Sequence, residues 1–173
     1  MSFLDLARSR YSCRSFSDKA VEQEKLNLVL EAGRIAPTAT NAQPVHVYVL
    51  RSSESLEKIR AATRMAYNAP VVLMVCFDTS RSYKALAHGD DHDCGFEDAS
   101  IVTTHMMLAA KDCGLESLWA RGFKAEDVKK AMGIPDKMEL VCLLDIGYAS
   151  SENGGPGPRH ALRNPLSDFA EEF

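Results

Sequence analysis

The sequence has no long apolar run and no leader-like N-terminus. Its longest apolar stretch is the seven residues Val71 to Phe77, whereas a membrane-spanning helix needs roughly 18. Residues 1–10 include Asp5 and Arg8 and lack the apolar core of a signal peptide. We therefore expect no membrane span and, by default, a cytoplasmic location.

A large net charge and paired cysteines are also missing. The chain has 20 Lys and Arg against 24 Asp and Glu, a formal net charge of −4, so we expect neither nucleic acid nor an anionic membrane as a partner. The five cysteines include no C-x-x-C pair, which excludes a zinc ribbon or a thioredoxin-like motif. Free thiols in a reducing compartment are the expected state.

The common nucleotide and nucleophile motifs are absent. The chain contains no G-x-G-x-x-G after a strand, no G-x-x-x-x-G-K-[ST] and no G-x-S-x-G. A Rossmann site, a P-loop and a hydrolase elbow are therefore not indicated. With 173 residues, 46% of them hydrophobic and 25% charged, the chain has the size and balance of one globular domain covering residues 1–173.

Helical and strand patterns alternate along the chain. Short apolar runs predict strands at Val45–Leu50, Val71–Phe77 and Leu140–Ile146. Periodicity and capping residues predict helices at Ser2–Ser9, Glu22–Arg34, Glu54–Thr63, Asp98–Cys113 and Ala125–Met132. This alternation favours an α/β or α+β sandwich.

One predicted helix indicates a second subunit. The predicted helix Asp98–Cys113 has few charges on any face, which is typical of a helix buried all round. A chain this small cannot cover such a helix alone, so we expect part of its cover to come from a second copy. The Gly/Pro-rich segment 150–158 predicts a loop, and a tail after such a loop either frays or docks. Of these, we expect residues 150–173 to dock on the partner subunit.

A basic cluster occupies residues 10–16, R-Y-S-C-R-S-F. Two arginines four residues apart, with a serine hydroxyl between them, suit a phosphate or carboxylate because the guanidinium is planar and permanently charged. A solvated basic turn paired with Asp5 or Asp18 explains the same residues. Three further groups in the tail are either surface charge or the completion of the same phosphate site: Arg159, His160 and Arg163.

Two other segments carry groups that suit a flat ligand. Pro37 and Pro44 bracket a rigid loop rich in hydroxyl and amide groups, which either read the polar edge of a ligand or satisfy their own backbone. Trp119, the only tryptophan, lies in L-E-S-L-W-A-R-G-F. It is either a core residue or one that borders a planar ligand.

The polar stretch 78–97 has little periodic pattern. His88 and His92, with Cys94 and several carboxylates nearby, have the residue types of a metal site. A solvated lid explains the same composition, and we predict no metal.

Taken in order, these segments resemble the nitroreductase family of FMN-dependent oxidoreductases, and in particular its short subgroup. The resemblance covers nearly the whole chain. It departs from the family at Thr38, where Ser is more usual, and in the segment between Phe77 and Asp98, which is shorter than the excursion that shapes the substrate channel of larger members. It rests on R-x-S-x-R-x-F at residues 10–16, A-P-[ST]-x-x-N-x-Q-P at 36–44, D-A-S-I…L-A-A…G-L…W from 98 to 119, G-I-P at 133–135, G-Y at 147–148 and R-N-P-L at 163–166.

The resemblance implies an α+β fold, an α/β/α sandwich with a central and mostly antiparallel sheet. It implies an intertwined homodimer with two FMN sites at the interface. One subunit holds the phosphate and the flavin N1/O2 edge, and the loop 36–44 reaches in from the other. The implied cofactor-binding residues are Arg10, Tyr11, Ser12, Arg14, Pro37, Thr38, Asn41, Gln43, Leu118, Trp119, His160 and Arg163.

The implied reaction takes hydride from NADH or NADPH and reduces a small nitroaromatic or quinone-like acceptor by a ping-pong mechanism. The chemistry belongs to the flavin N5, so no catalytic side chain is expected. Three alternatives stay open: a flavin-binding electron carrier without turnover, a superfamily variant that dehalogenates or degrades flavin, and a metal-binding protein using His88, His92 and Cys94.

Overall fold

A four-stranded antiparallel sheet lies at the centre of the computed structural model, which describes residues 1–85, 89 and 91–173. Its order is β1-β2-β4-β3. The two central strands are almost entirely apolar because helices cover both faces of the sheet. The strands are β1 (Val45–Leu50), β2 (Val71–Asp78), β3 (Glu116–Ala120) and β4 (Met138–Gly147).

Helices connect and cover these strands. The first begins at a capping box between Ser2 and Asp5, and the fifth ends at Gly133 in the left-handed conformation. The helices are α1 (Phe3–Ser9), α2 (Gln23–Arg34), α3 (Ser53–Ala62), α4 (Gly95–Asp112), α5 (Ala125–Met132) and α6 (Leu166–Phe169), with single 3-10 turns at Ala39–Asn41 and Arg64–Ala66.

Two apolar layers pack on opposite faces of the sheet. Helices α2 and α4 cover one face, where Leu26, Val102 and Met106 are buried, and α3 and α5 cover the other, with Ile59 and Val128 buried. This arrangement is the α/β/α sandwich with an antiparallel sheet that the resemblance implies, and the α+β prediction is confirmed.

The predicted strands at 45–50, 71–77 and 140–146 and the first five helices are present within a few residues. Strand β3 was not predicted, because its five residues combine Glu116 with a tryptophan and show no long apolar run. It forms by pairing with β4, in register Trp119 opposite Leu144.

Helix α4 is not buried all round within one chain. Phe96 and Ile101 are exposed on it, whereas Met106 is fully buried. The tail beyond Arg159 is also exposed in this chain except for the half-buried His160. Cover by a second copy therefore stays a prediction. No helix in the described part of the chain has both the length and the apolar character to cross a membrane.

Candidate functional site

A basic cavity of about 420 Å³ opens where the N-terminal cluster meets the C-terminal tail. Four guanidinium groups and one hydroxyl face it, and a guanidinium presents a planar fork of donors to an oxyanion. Within residues 1–85, 89 and 91–173, no carboxylate lines it. The lining is Arg10, Ser12, Arg14, Gly157, Pro158, Arg159, His160 and Arg163.

The segment 10–16 is held in place by the edge of the sheet. Helix α1 ends because Arg10 adopts an extended conformation. Ser12 then pairs in parallel with Ser117 of β3, and the Cys13 N–H donates to the Ser117 carbonyl at 3.0 Å. Strand β3, which the sequence pattern did not predict, is therefore the element that positions the basic cluster.

Cys13 connects this segment to the turn that leads into the tail. Its buried Sγ donates to the Ser15 carbonyl at 3.2 Å and lies 3.6 Å from the Gly154 carbonyl oxygen. The Ser150 N–H also donates to the Ser15 carbonyl, at 3.0 Å. Burial raises the pKa of the Cys13 thiol, so the thiol stays protonated and can donate.

Asn68 also holds the segment 10–16 in place, through two hydrogen bonds to the Phe16 backbone that the sequence did not predict. Its side chain accepts the Phe16 N–H at 3.0 Å and donates to the Phe16 carbonyl at 2.6 Å. The contact spans 52 positions in the sequence, so no local pattern could have indicated it.

The tail closes the cavity from the other side. His160 Nε2 lies 3.0 Å from the Arg8 carbonyl oxygen, and the His160 ring contacts the Tyr11 ring edge-on with centroids 6.1 Å apart. Arg163 Nη1 donates to the His160 carbonyl at 2.7 Å. The structure thus brings five of the predicted residues to one cavity: Arg10, Ser12, Arg14, His160 and Arg163.

Tyr11 lies beside the cavity but not in its lining. Burial, followed by the neighbouring Glu116 carboxylate, raises the pKa of Tyr11 to about 12. Its hydroxyl is therefore neutral at physiological pH. Leu118 is buried in β3 and Trp119 is half-buried on the opposite face of the same strand.

The proline-bracketed loop does not join the basic cavity within one chain. Pro37 and Asn41 are exposed, whereas Thr38 and Gln43 line a separate cavity of about 450 Å³ between α2, α4 and β1. The remaining lining of that cavity is Leu30, Gly33, Arg34, Ala36, Val45, Val47, Arg81, Val102 and Met106.

This loop has an unusual backbone. Thr40, Asn41 and Gln43 all adopt the left-handed region, with φ of 52°, 55° and 49°. Each such residue costs of order 1–3 kcal/mol and persists only where its surroundings hold it. Within the loop, the Gln43 N–H donates to Thr38 Oγ1 at 3.0 Å and Gln43 Nε2 donates to Asn41 Oδ1 at 3.1 Å.

The candidate metal ligands are only partly described. His92 Nε2 lies 2.7 Å from Glu97 Oε1, and His88 lies outside the described residues. Among the residues that are described, no group of three His, Cys, Asp or Glu side chains is arranged to hold a metal ion.

The fold and the site together define an α+β protein with a basic cavity formed by the two ends of the chain. The model of the nitroreductase family matches residues 7–66 and 61–148, so the chain belongs to the nitroreductase family. A relative from Archaeoglobus fulgidus, named "Putative NADH dehydrogenase/NAD(P)H nitroreductase", is 31% identical over 156 residues, 86% of each chain.

Solved structures of nitroreductase family proteins have the same fold as this chain. A nitroreductase family protein from Clostridium difficile 630 superposes with a TM-score of 0.90 at 37% identity, covering 99% of this chain and 98% of the other. A "putative nitroreductase in complex with FMN" from Desulfovibrio desulfuricans superposes with a TM-score of 0.82 at 26% identity, covering 98% of this chain and 95% of the other.

Proposed function

We propose that the chain is an FMN-dependent oxidoreductase of one domain, residues 1–173, which oxidises NADH or NADPH and reduces nitroaromatic or quinone-like acceptors by a ping-pong mechanism. The observation that carries the proposal is the cavity in which Arg10, Ser12, Arg14 and Arg163 converge from the two ends of the chain. The FMN complex and the NAD(P)H nitroreductase name among its relatives support it.

The donor set fits a phosphate monoester. Its charge is carried by several oxygens, each of which accepts hydrogen bonds from guanidinium and hydroxyl donors. Arg10, Ser12 and Arg163 would hold this group, with His160 closing the tail over it. Because no carboxylate lines the described cavity, nothing there repels a dianion.

Arg14 has a different role from the phosphate ligands. Its Nη1 donates to the Ser12 carbonyl at 3.3 Å, and the side chain is otherwise exposed. A fixed cation favours any nearby group that becomes negative, so Arg14 would stabilise the reduced cofactor. Bound FMN supplies two-electron redox chemistry between a nicotinamide donor and the acceptor, so the described chain needs no acid–base pair.

A second copy of the chain would complete the site. Thr38, Asn41 and Gln43 do not reach the basic cavity of their own chain, so they would contact the cofactor held by the partner. The large apolar side chains that one chain leaves exposed on α1, α4 and the tail support this arrangement. They include Phe3, Leu4, Phe96, Ile101, Leu166 and Phe169.

Absorption spectroscopy and anaerobic stopped-flow mixing test the proposal. We expect the purified protein to carry oxidised-flavin bands, or to bind added FMN, and NADH or NADPH to bleach these bands rapidly. A flavin that neither nucleotide bleaches would indicate an electron carrier. A protein that binds no FMN would contradict the proposal altogether.

The Arg14→Ala variant tests the electrostatic part of the proposal. We expect a lower midpoint potential for bound FMN, because the reduced form loses its cation. Arg64→Ala is the matched control, since Arg64 is exposed and does not line the cavity. A potential equal to that of the wild type, at full FMN occupancy, would remove Arg14 from this role.

A further inference from the structure

Asp98 is a buried carboxyl that touches the loop 38–43. It lies in the first turn of α4 and is only 2% exposed. Its Oδ1 accepts the Ala39 N–H at 2.7 Å. Its Oδ2 is buried and has no hydrogen-bond partner in the part of the chain that the structure describes.

Among the described hydrogen bonds, this contact is the one that joins residues 38–43 to the rest of the protein. The end of the loop is held separately, because the Asp78 N–H donates to the Pro44 carbonyl at 2.9 Å. The other described hydrogen bonds of residues 38–43 stay within the loop, such as those from the Asn41 N–H to the Thr38 carbonyl and from the Ala42 N–H to the Ala39 carbonyl. Those bonds shape the loop but cannot attach it to the rest of the chain.

Among the described residues, the Ala39 N–H is the one hydrogen-bond donor to the Asp98 carboxyl, which also lies in the favourable field of the first turn of α4. Burial raises the pKa of Asp98, the Ala39 N–H opposes that shift, and the carboxylates of Glu97 and Asp93 raise the pKa further. A buried carboxyl without a cation is unfavourable unless a hydrogen bond compensates it. Here the Ala39 N–H supplies that bond.

We propose that Asp98 is a positioning residue, which holds the loop 38–43, with its three left-handed residues, in place through the bond to Ala39. That the loop then contacts flavin rests on the proposed function, whereas the attachment of the loop to α4 does not. Asp98 touches no substrate or cofactor itself and acts through Asn41 and Gln43.

The bond can be removed from either side. Asp98→Ala deletes the acceptor. Ala39→Pro deletes only the donor, and the backbone allows it: Ala39 is the first residue of a 3-10 turn, and Thr38 before it is already extended at φ −133° and ψ 156°. Asp98→Asn keeps an oxygen that can accept from Ala39. Glu97→Gln alters the neighbouring exposed carboxylate and serves as the control.

Hydrogen exchange in the protein without flavin is the first measurement. We expect amides 40–43 to exchange about 10-fold faster in Asp98→Ala and in Ala39→Pro, since the hydrogen bond that attaches the loop to α4 is lost. The double variant should show no further increase. Asp98→Asn and Glu97→Gln should stay near the wild type, and amides in the middle of α4 should not change in any folded variant.

FMN affinity is the second measurement. We expect it to fall about 10-fold in Asp98→Ala and in Ala39→Pro and to return to the wild-type value in Asp98→Asn. If Asp98→Ala does not fold, Ala39→Pro still decides the matter. Loop exchange equal to that of the wild type in Ala39→Pro would overturn the inference. If the wild-type protein binds no FMN, the proposed function is contradicted. The hydrogen-exchange measurement still tests the role of Asp98 in that case, because it does not depend on flavin.

Discussion

Asp145 is a buried carboxyl in the central sheet that lowers the stability of the folded protein. It sits in β4 between Val72 of β2 and Leu118 of β3, fully buried, with neither carboxyl oxygen hydrogen-bonded in the described structure. Burial raises the pKa of Asp145 from 3.8 to about 8, and Arg60 opposes this only in part. Asp145 is therefore protonated in the folded protein at neutral pH.

We predict that Asp145→Asn stabilises the protein increasingly as pH rises. Between pH about 4 and about 8 the folded state retains a proton that the unfolded state releases, so the unfolding free energy of the wild type falls by about 1.4 kcal/mol per pH unit from this group. Below about pH 4 the Asp145 carboxyl is protonated in both states and does not change the unfolding free energy with pH. Above about pH 8 it is ionised in both states, and the unfolding free energy falls no further. Asparagine imitates the protonated acid and does not titrate.

Urea denaturation at about pH 5 and about pH 8 measures this effect. The advantage of the variant should grow by a few kcal/mol between the two conditions. Asp136→Asn, at an exposed position, should show no such growth. An advantage of Asp145→Asn that is the same at both pH values would mean that the buried carboxyl does not titrate in this interval.

At the scale of elements, the sequence predicted those helices and strands whose formation depends on neighbouring residues. The apolar runs of β2 and β4 and the capped, periodic helices were identified from sequence because their signals lie within a few residues. Strand β3 was missed because its pairing with β4 and its bridge to Ser12 are non-local. Likewise, the sequence contains the motifs of the basic cavity. The hydrogen bonds of Cys13, Asn68 and Asp98 that hold the site could not be predicted, because they join segments that are distant in the sequence.

Gly95, the first residue of α4, shows how closely one helix approaches the sheet. A Cβ added at this position would overlap the buried Phe77 ring of β2. We predict that Gly95→Ala lowers the unfolding free energy by about 1–3 kcal/mol, as overpacking of a close-packed core typically does. Equilibrium denaturation in urea measures it.

Gly155→Ala is the matched control for Gly95→Ala. A Cβ at Gly155 meets no atom within 4 Å, so the same substitution should change stability by less than about 0.5 kcal/mol. Equal effects of the two substitutions would show that loss of glycine's flexibility, rather than contact with Phe77, sets the change.

At the scale of the whole molecule, most of the exposed large apolar side chains lie on α1, on α4 and in the tail, with Leu28, Ile35 and Val49 exposed elsewhere. Phe96 and Ile101 are exposed on α4, and Phe169 in the tail is 85% exposed. The layer formed by α3 and α5, by contrast, has a polar outer surface with exposed Glu57 and Lys130. This asymmetry is what a self-complementary interface on one side of the sandwich would produce.

We predict that Ile101→Asp separates the dimer, because it places a charge on the exposed face of α4. The wild type should have a mass near twice 19.0 kDa by light scattering or sedimentation, and the variant a mass near that of one chain. Ala131→Asp adds the same charge to an exposed position on α5, on the opposite layer, and should remain dimeric.

The separated variant also tests how the site is divided between two chains. Ile101→Asp leaves Arg10, Ser12, Arg14 and Arg163 intact but removes any loop 36–44 supplied by a partner. FMN affinity should therefore fall in proportion to the monomer fraction and recover at high protein concentration. A monomeric variant that binds FMN as tightly as the wild type would mean that each chain holds its cofactor alone, and that Asn41 and Gln43 have no part in binding it.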